Sequence, residues 1–250
     1  MKKEIGILML LSAVLLSGCG SENSGSDKQG GTGESPNKQV TTQPIQDTNA
    51  KEKLIIASEE NENVKLYAVN ETDGQVQGVR VDVNGKQKEF DWNIVDTGTK
   101  PQLFYTDLTG DGKEEAVILI QTGRGTEFNT YDIHVLNAED LSEIKVPNAL
   151  DVAKEEVDSK VIQKADALDI TVNIQGKEYK TTYPTQDDNY SDKLIFGAIN
   201  IYSIENQKIV ATVAGNVKQI EFVGSVIITY SYDSASNEFK AEKIEFDSEK

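Results

Sequence analysis

Apolar and polar residues alternate again and again from residue 53 onward, and this pattern limits the fold more than anything else in the chain. Val64, Leu66 and Ala68 alternate with Lys65 and Tyr67. Val79, Val81 and Val83 alternate with Arg80 and Asp82, and Leu168, Ile170, Val172 and Ile174 alternate with Asp169, Thr171, Asn173 and Gln175. A period of two puts every second side chain on one face of a strand, so each run reads as a half-buried β-strand. Asn84-Gly85 and Gln175-Gly176 follow two of these runs and supply the left-handed backbone of a tight hairpin turn. The return strands carry Phe90 and Trp92 in one case, Tyr179 and Tyr183 in the other.

The more continuous apolar runs over 116–120 and 194–204 predict buried strands. The tail reads as a meander over 209–213, 219–223, 226–232 and 239–246. One segment, 149–158, reads as a helix, with Leu150, Ala153 and Val157 at helical spacing and Asn148 as its cap. The expectation is a mainly β protein of antiparallel hairpins and meander with one short helix, occupying residues 51–250. Residues 81–90 (VDVNGKQKEF) and 172–181 (VNIQGKEYKT) share a strand-turn-Gly-Lys-strand pattern. The echo fits either two related halves meeting near 148–160 or two hairpins that share one turn chemistry.

The N-terminus follows different rules. Lys2 and Lys3 precede an apolar run over 5–16, about the length of a signal-peptide core and too short to span a bilayer. Leu16-Ser17-Gly18 then leads into Cys19, the one cysteine of the chain. This segment resembles the lipobox of bacterial lipoproteins. The resemblance implies that residues 1–18 are removed, that Cys19 receives a diacylglyceryl group and that it becomes the mature N-terminus. Two acyl chains give stable anchoring where one gives marginal binding. The expected location is therefore extracytoplasmic, on the outer face of the cell membrane. With no second cysteine there is no internal disulfide.

Residues 20–50 contain no aromatic side chain and almost no apolar one, so residues 19–50 read as the lipidated cysteine followed by a disordered tether. As a flexible coil, such a tether reaches roughly 30 Å on average. The formal charge of −17 argues against nucleic acid and anionic headgroups as ligands.

The sharpest motif of the mature chain is Asp107-Leu108-Thr109-Gly110-Asp111-Gly112-Lys113-Glu114-Glu115, set between the runs 103–106 and 116–120. Oxygen ligands at loop positions 1, 3 and 5 can converge on one hard cation, with glycine at 6, a backbone carbonyl at 7 and a carboxylate at 9. Those positions are Asp107, Thr109, Asp111, Lys113 (carbonyl only) and Glu115. An EF-hand also needs an acid at position 12, which here is the apolar Ile118.

A calcium loop between strands resembles instead the FG-GAP (VCBS-type) repeats, of pattern D-x-[DN]-x-D-G-x-x-D. The resemblance covers residues 104–123 in a single copy, and Thr109 and Glu115 depart from the pattern. It implies calcium binding of the weak extracellular class, about 10⁻⁴ to 10⁻³ M. The alternative is a metal-free turn in which Asp107 and Asp111 accept backbone hydrogen bonds. A single copy speaks against a complete propeller.

Other motifs carry less chemistry. Residues 122–126 hold two glycines and Arg124, but a strand follows where a phosphate loop needs a helix. His134 is the only histidine; alternation puts it on one strand face with Asp132 and Leu136, opposite Tyr131, Ile133 and Val135. No G-x-S-x-G elbow accompanies it. Asp187-Asp188 lies in a polar loop.

The reading that uses these features is a lipid-anchored, non-catalytic binding or structural module, calcium-stabilised at 107–115, that engages an envelope protein or polymer. Tyr183 and Tyr190 would line its recognition surface, with Trp92 in the core. The alternative is a carboxylate-dependent hydrolase of envelope polymers, which needs two facing acids about 5 to 9 Å apart. A transporter's binding protein would instead alternate strands and helices in two lobes.

Overall fold

A computed structural model describes residues 53–57 and 62–248; the signal segment, Cys19 and the 19–50 tether lie outside the described residues. In chain order the elements are β1 (Lys53–Ala57), β2 (Val64–Thr72), β3 (Gln75–Val83), β4 (Lys86–Ile94), β5 (Gln102–Thr106), β6 (Glu115–Gly125), β7 (Phe128–Asn137) and β8 (Glu143–Ile144). Helix α1 (Ala149–Glu156) follows, then β9 (Val157–Gln163), β10 (Ala167–Ile174), β11 (Lys177–Pro184), β12 (Ile199–Glu205), β13 (Lys208–Lys218), β14 (Glu221–Asp233) and β15 (Glu238–Ser248). The protein is mainly β, as the alternation predicts, with antiparallel sheets and, among the described residues, a single short helix and no closed barrel or propeller.

Three sheets form. β1-β2-β3-β4 and β11-β10-β9 are antiparallel meanders, while the largest sheet runs β15-β14-β13-β12-β7-β6-β5, with β8 paired to β7. The two echoing segments are the hairpins β3–β4 and β10–β11. In each, both turn residues have positive φ: Asn84 53° and Gly85 84°, Gln175 50° and Gly176 79°. That is the type I′ geometry matching the twist of paired strands. They belong to different sheets, and the largest sheet takes strands from both sides of residues 148–160.

Strand β6 explains the layering. Its odd residues Val117 and Leu119 join one core, formed with Val135, α1, the β9–β11 sheet and much of β12–β15. Its even residues Ala116, Ile118 and Ile120 join another, formed with Leu136 and with Val64, Leu66, Val79, Val81 and Val83 of the β1–β4 sheet. A strand covered on both faces loses its polar alternation, hence the continuous run over 116–120. On the far side of β7 one pairing is parallel, where Ile199 and Asn200 of β12 meet Asn129 and Thr130. The opposite margin of the sheet curls back until Glu238 bridges Lys145, where the Phe239 N–H donates to the Lys145 carbonyl at 2.8 Å.

Several boundaries differ from the sequence reading. Residues 194–198 are not strand. β12 begins only at Ile199, after Gly197, and Ile195 makes a single bridge to Asn216. The segments expected at 219–223 and 226–232 are one strand, β14, running through Gly224. A Cβ there would stand 2.6 Å from the Asp247 carbonyl oxygen, so this glycine lets β15 lie close and does not end a strand. The helix stops at Glu156 and β9 follows at once, with Val157 already extended; Asn148 caps the helix as expected, accepting from the Leu150 N–H at 2.9 Å. Tyr183 and Tyr190 are half-buried against the first core rather than displayed, and Trp92 is buried.

Candidate functional site

Three places combine unusual chemistry with defined geometry: the 107–115 loop, a cleft around His134, and an apolar groove at one end of the largest sheet.

The loop closes on its own backbone. Asp107 accepts from the Gly110 N–H at 2.6 Å through Oδ1 and from the Gly112 N–H at 3.0 Å through Oδ2. Asp111 Oδ1 accepts from the Lys113 N–H at 2.9 Å. Gly110 and Gly112 have φ of 77° and 84°, which is why glycine stands at both positions. Glu115 is the first residue of β6 and is 2 % exposed. Its Oε2 accepts from the Leu108 N–H at 2.8 Å and the Thr109 N–H at 3.2 Å, and Oε1 lies 3.4 Å from the Thr109 hydroxyl. Burial pushes its carboxyl above the usual glutamate value, with the two backbone N–H donors pulling the other way. Lys113 turns outward to Glu139 at 3.0 Å.

As a calcium cage this arrangement fits poorly. Glu115 is spent as a buried strut, and among the described residues no group of three or more His, Cys, Asp or Glu side chains is placed to hold a metal ion. A cation here would have to work with the remaining lone pairs of Asp107 and Asp111, the Thr109 hydroxyl and the Lys113 carbonyl. Otherwise it would have to draw Glu115 out of its buried post.

His134 sits between two sheets. Its ring stacks on Trp92 with centroids 3.7 Å apart and planes 15° off parallel, and Trp92 in turn stacks on Phe90 at 4.2 Å. Nδ1 is 2.7 Å from Glu143 Oε1. A cavity of about 340 Å³ bordered by Asp132, Glu143, Lys145 and Tyr202 opens on the β8 side of the ring. A second, of about 320 Å³, is bordered by Asp91, Trp92, Thr122 and Asp132. Alternation placed His134 correctly beside Asp132, but Glu143 comes from the short strand β8, whose two residues leave no periodic signal. None of the carboxylates here belongs to the 107–115 loop. Glu115, the acid whose burial would suit a proton donor, borders neither cavity.

The groove has a volume of about 500 Å³ and is lined by Phe128, Ile195, Phe196, Gly197, Ala198 and Ile220, with Glu127, Asn216 and Gln219 at its margin. Phe128, Ile195 and Ile220 are 46 %, 43 % and 63 % exposed. Phe128 lies over Gly123 of the paired strand, where a Cβ would overlap its ring. Sequence reading missed this site. Its one legible sign is Ile220, an apolar residue in the turn between β13 and β14.

Arg124 is exposed and donates from Nη1 to the Thr99 hydroxyl at 3.1 Å. Asp187 pairs with Lys218 at 3.2 Å, so part of that charge is structural. No helix among the described residues is long and apolar enough to cross a membrane. No protein-family model, curated protein or solved structure matches the chain.

Proposed function

We propose that the chain is a bacterial lipoprotein, anchored through a diacylglyceryl group on Cys19 to the outer face of the cell membrane, whose β domain is a non-catalytic binding module. The observation that carries this reading is Leu16-Ser17-Gly18-Cys19 placed directly behind a short apolar run with a basic start. The apolar groove supports a binding role, since Phe128, Ile195 and Ile220 expose their side chains around one concavity. The 107–115 loop serves this module as a self-closed turn that joins β5 to β6. Calcium would add to its stability through the remaining lone pairs of Asp107 and Asp111, the Thr109 hydroxyl and the Lys113 carbonyl.

Labelled fatty acid fed to expressing cells tests the anchor. The expected result is label on the wild type, none on Cys19→Ala, and release of that variant into the soluble fraction. Label-free wild type, or a variant that stays with the membrane, would refute the proposal. A second reading, hydrolysis of an envelope polymer, is favoured by one observation: Asp91 and Asp132 border one cavity at His134, and Asp132 and Glu143 the other. Cleavage of cell-wall polymer that disappears in Asp132→Asn and Glu143→Gln would select that reading over the first.

A further inference from the structure

Strand registers bring the groove and the point of chain entry to the same end of the domain. β6 finishes at Gly125 and β7 starts at Phe128. β12 is parallel to β7 and so starts at this end, and antiparallel β13 finishes there at Lys218, just before Ile220 and β14. β4 runs along β7 toward the same end: Lys86 reaches the Glu139 carbonyl, Lys88 the Leu141 carbonyl, Trp92 stacks on His134, and Val95 shares a cavity with Thr122. β3 therefore starts at this end and β2 finishes there. β1 enters from it, with Lys53 opposite Ala68, Ala57 opposite Lys65, and Lys53 paired to Glu71 at 2.7 Å.

The two ends differ in chemistry. Phe128, Ile195 and Ile220 line the groove at the entry end, and Val95, which follows β4, is exposed at the same end. The opposite end carries the turns at Asn84-Gly85, 107–113, Asn206-Gln207 and 234–237. Among the described residues, none of the exposed large apolar side chains lies in those turns.

We infer that the groove end is a membrane-facing surface, which rests its apolar side chains on the lipid bilayer to which Cys19 is anchored. The inference rests on the lipoprotein reading. A chain tethered at Cys19 and entering the domain at Lys53 presents its entry end to the bilayer. An anchor carried on the same chain raises the effective concentration of lipid at the groove, so a weak contact suffices. The chain's charge of −17 selects zwitterionic over anionic headgroups.

The test uses the full, lipidated chain in phosphatidylcholine vesicles, with an environment-sensitive fluorophore on Ile220→Cys or, at the opposite end, on Asn206→Cys; acylated Cys19 offers no competing thiol. The expected result is a blue shift and quenching by lipid-borne quenchers at position 220 and neither at position 206. Adding Phe128→Glu to a chain labelled at Gln219→Cys should return that probe to water while the protein still floats with the vesicles; an unchanged melting temperature excludes misfolding. Flotation with an aqueous probe at 220 would overturn this inference and leave the anchor intact. Failure to float would overturn both. A blue shift that needs protein concentration but no vesicles would make a second copy of the chain the occupant and overturn it as well.

Discussion

At its first residue β6 is held by polar groups that answer one another: the Glu115 carboxylate takes the N–H groups of Leu108 and Thr109, and Asp107 those of Gly110 and Gly112. At its other end the strand runs out under Phe128 into a groove whose apolar side chains are left exposed among the described residues. The two ends of one strand thus differ in whether their needs are met internally. A motif rich in acids, the obvious functional suspect in the sequence, is largely self-sufficient. A region with no motif at all leaves Phe128, Ile195 and Ile220 exposed around one groove. Buried polar groups are costly unless paired, so a fold satisfies them itself. Exposed apolar surface carries a smaller penalty and can wait for a partner.

The middle of β6 is the reference against which both ends are measured. Ile118 is fully buried against the β1–β4 sheet, so Ile118→Ala should cost about 2–5 kcal/mol by denaturant unfolding. The loop end comes next. Glu115→Ala leaves the Leu108 N–H without its acceptor in a buried setting, an expected loss of about 1–3 kcal/mol.

The Glu115 charge sharpens the point. Burial raises the folded carboxyl above its usual 4.5, so its proton is held more tightly in the folded than the unfolded state. Its contribution is fully present below that usual value and is lost as pH rises through the raised one. The stability of the wild type relative to Glu115→Gln should therefore fall as pH rises above the usual glutamate value and through the raised one, read from denaturant midpoints. Asn148→Ala, which removes the α1 cap far from either end, should cost about 1 kcal/mol. At the groove end, Ile220→Glu should change stability by less than about 0.5 kcal/mol, because the side chain already faces solvent. A large loss there would mean that the groove is part of the core and would break the contrast.

Much of the fold was legible because its signals are local. The alternation over 64–68, 79–83 and 168–174 reports faces directly, and Asn84-Gly85 and Gln175-Gly176 report turns. What failed was decided by contacts distant in sequence. Gly224 looks like a break until Asp247 is seen beside it, and the extended Val157 after α1 depends on pairing with Ile174. The loop's residues were legible individually, but whether Glu115 points at an ion or at the Leu108 N–H is a matter of orientation, which spacing does not encode. The groove draws on β7, the 194–198 segment and the β13–β14 turn. No window of sequence holds it.

Amide hydrogen exchange on the lipidated full chain, with and without vesicles and with and without millimolar calcium, tests the contrast between the two ends most directly. The account predicts added protection at 123–128 and 216–221 on vesicles, and unchanged exchange over 107–115 in calcium. Protection that appears instead at 107–115 on adding calcium, with the groove end indifferent to lipid, would contradict it.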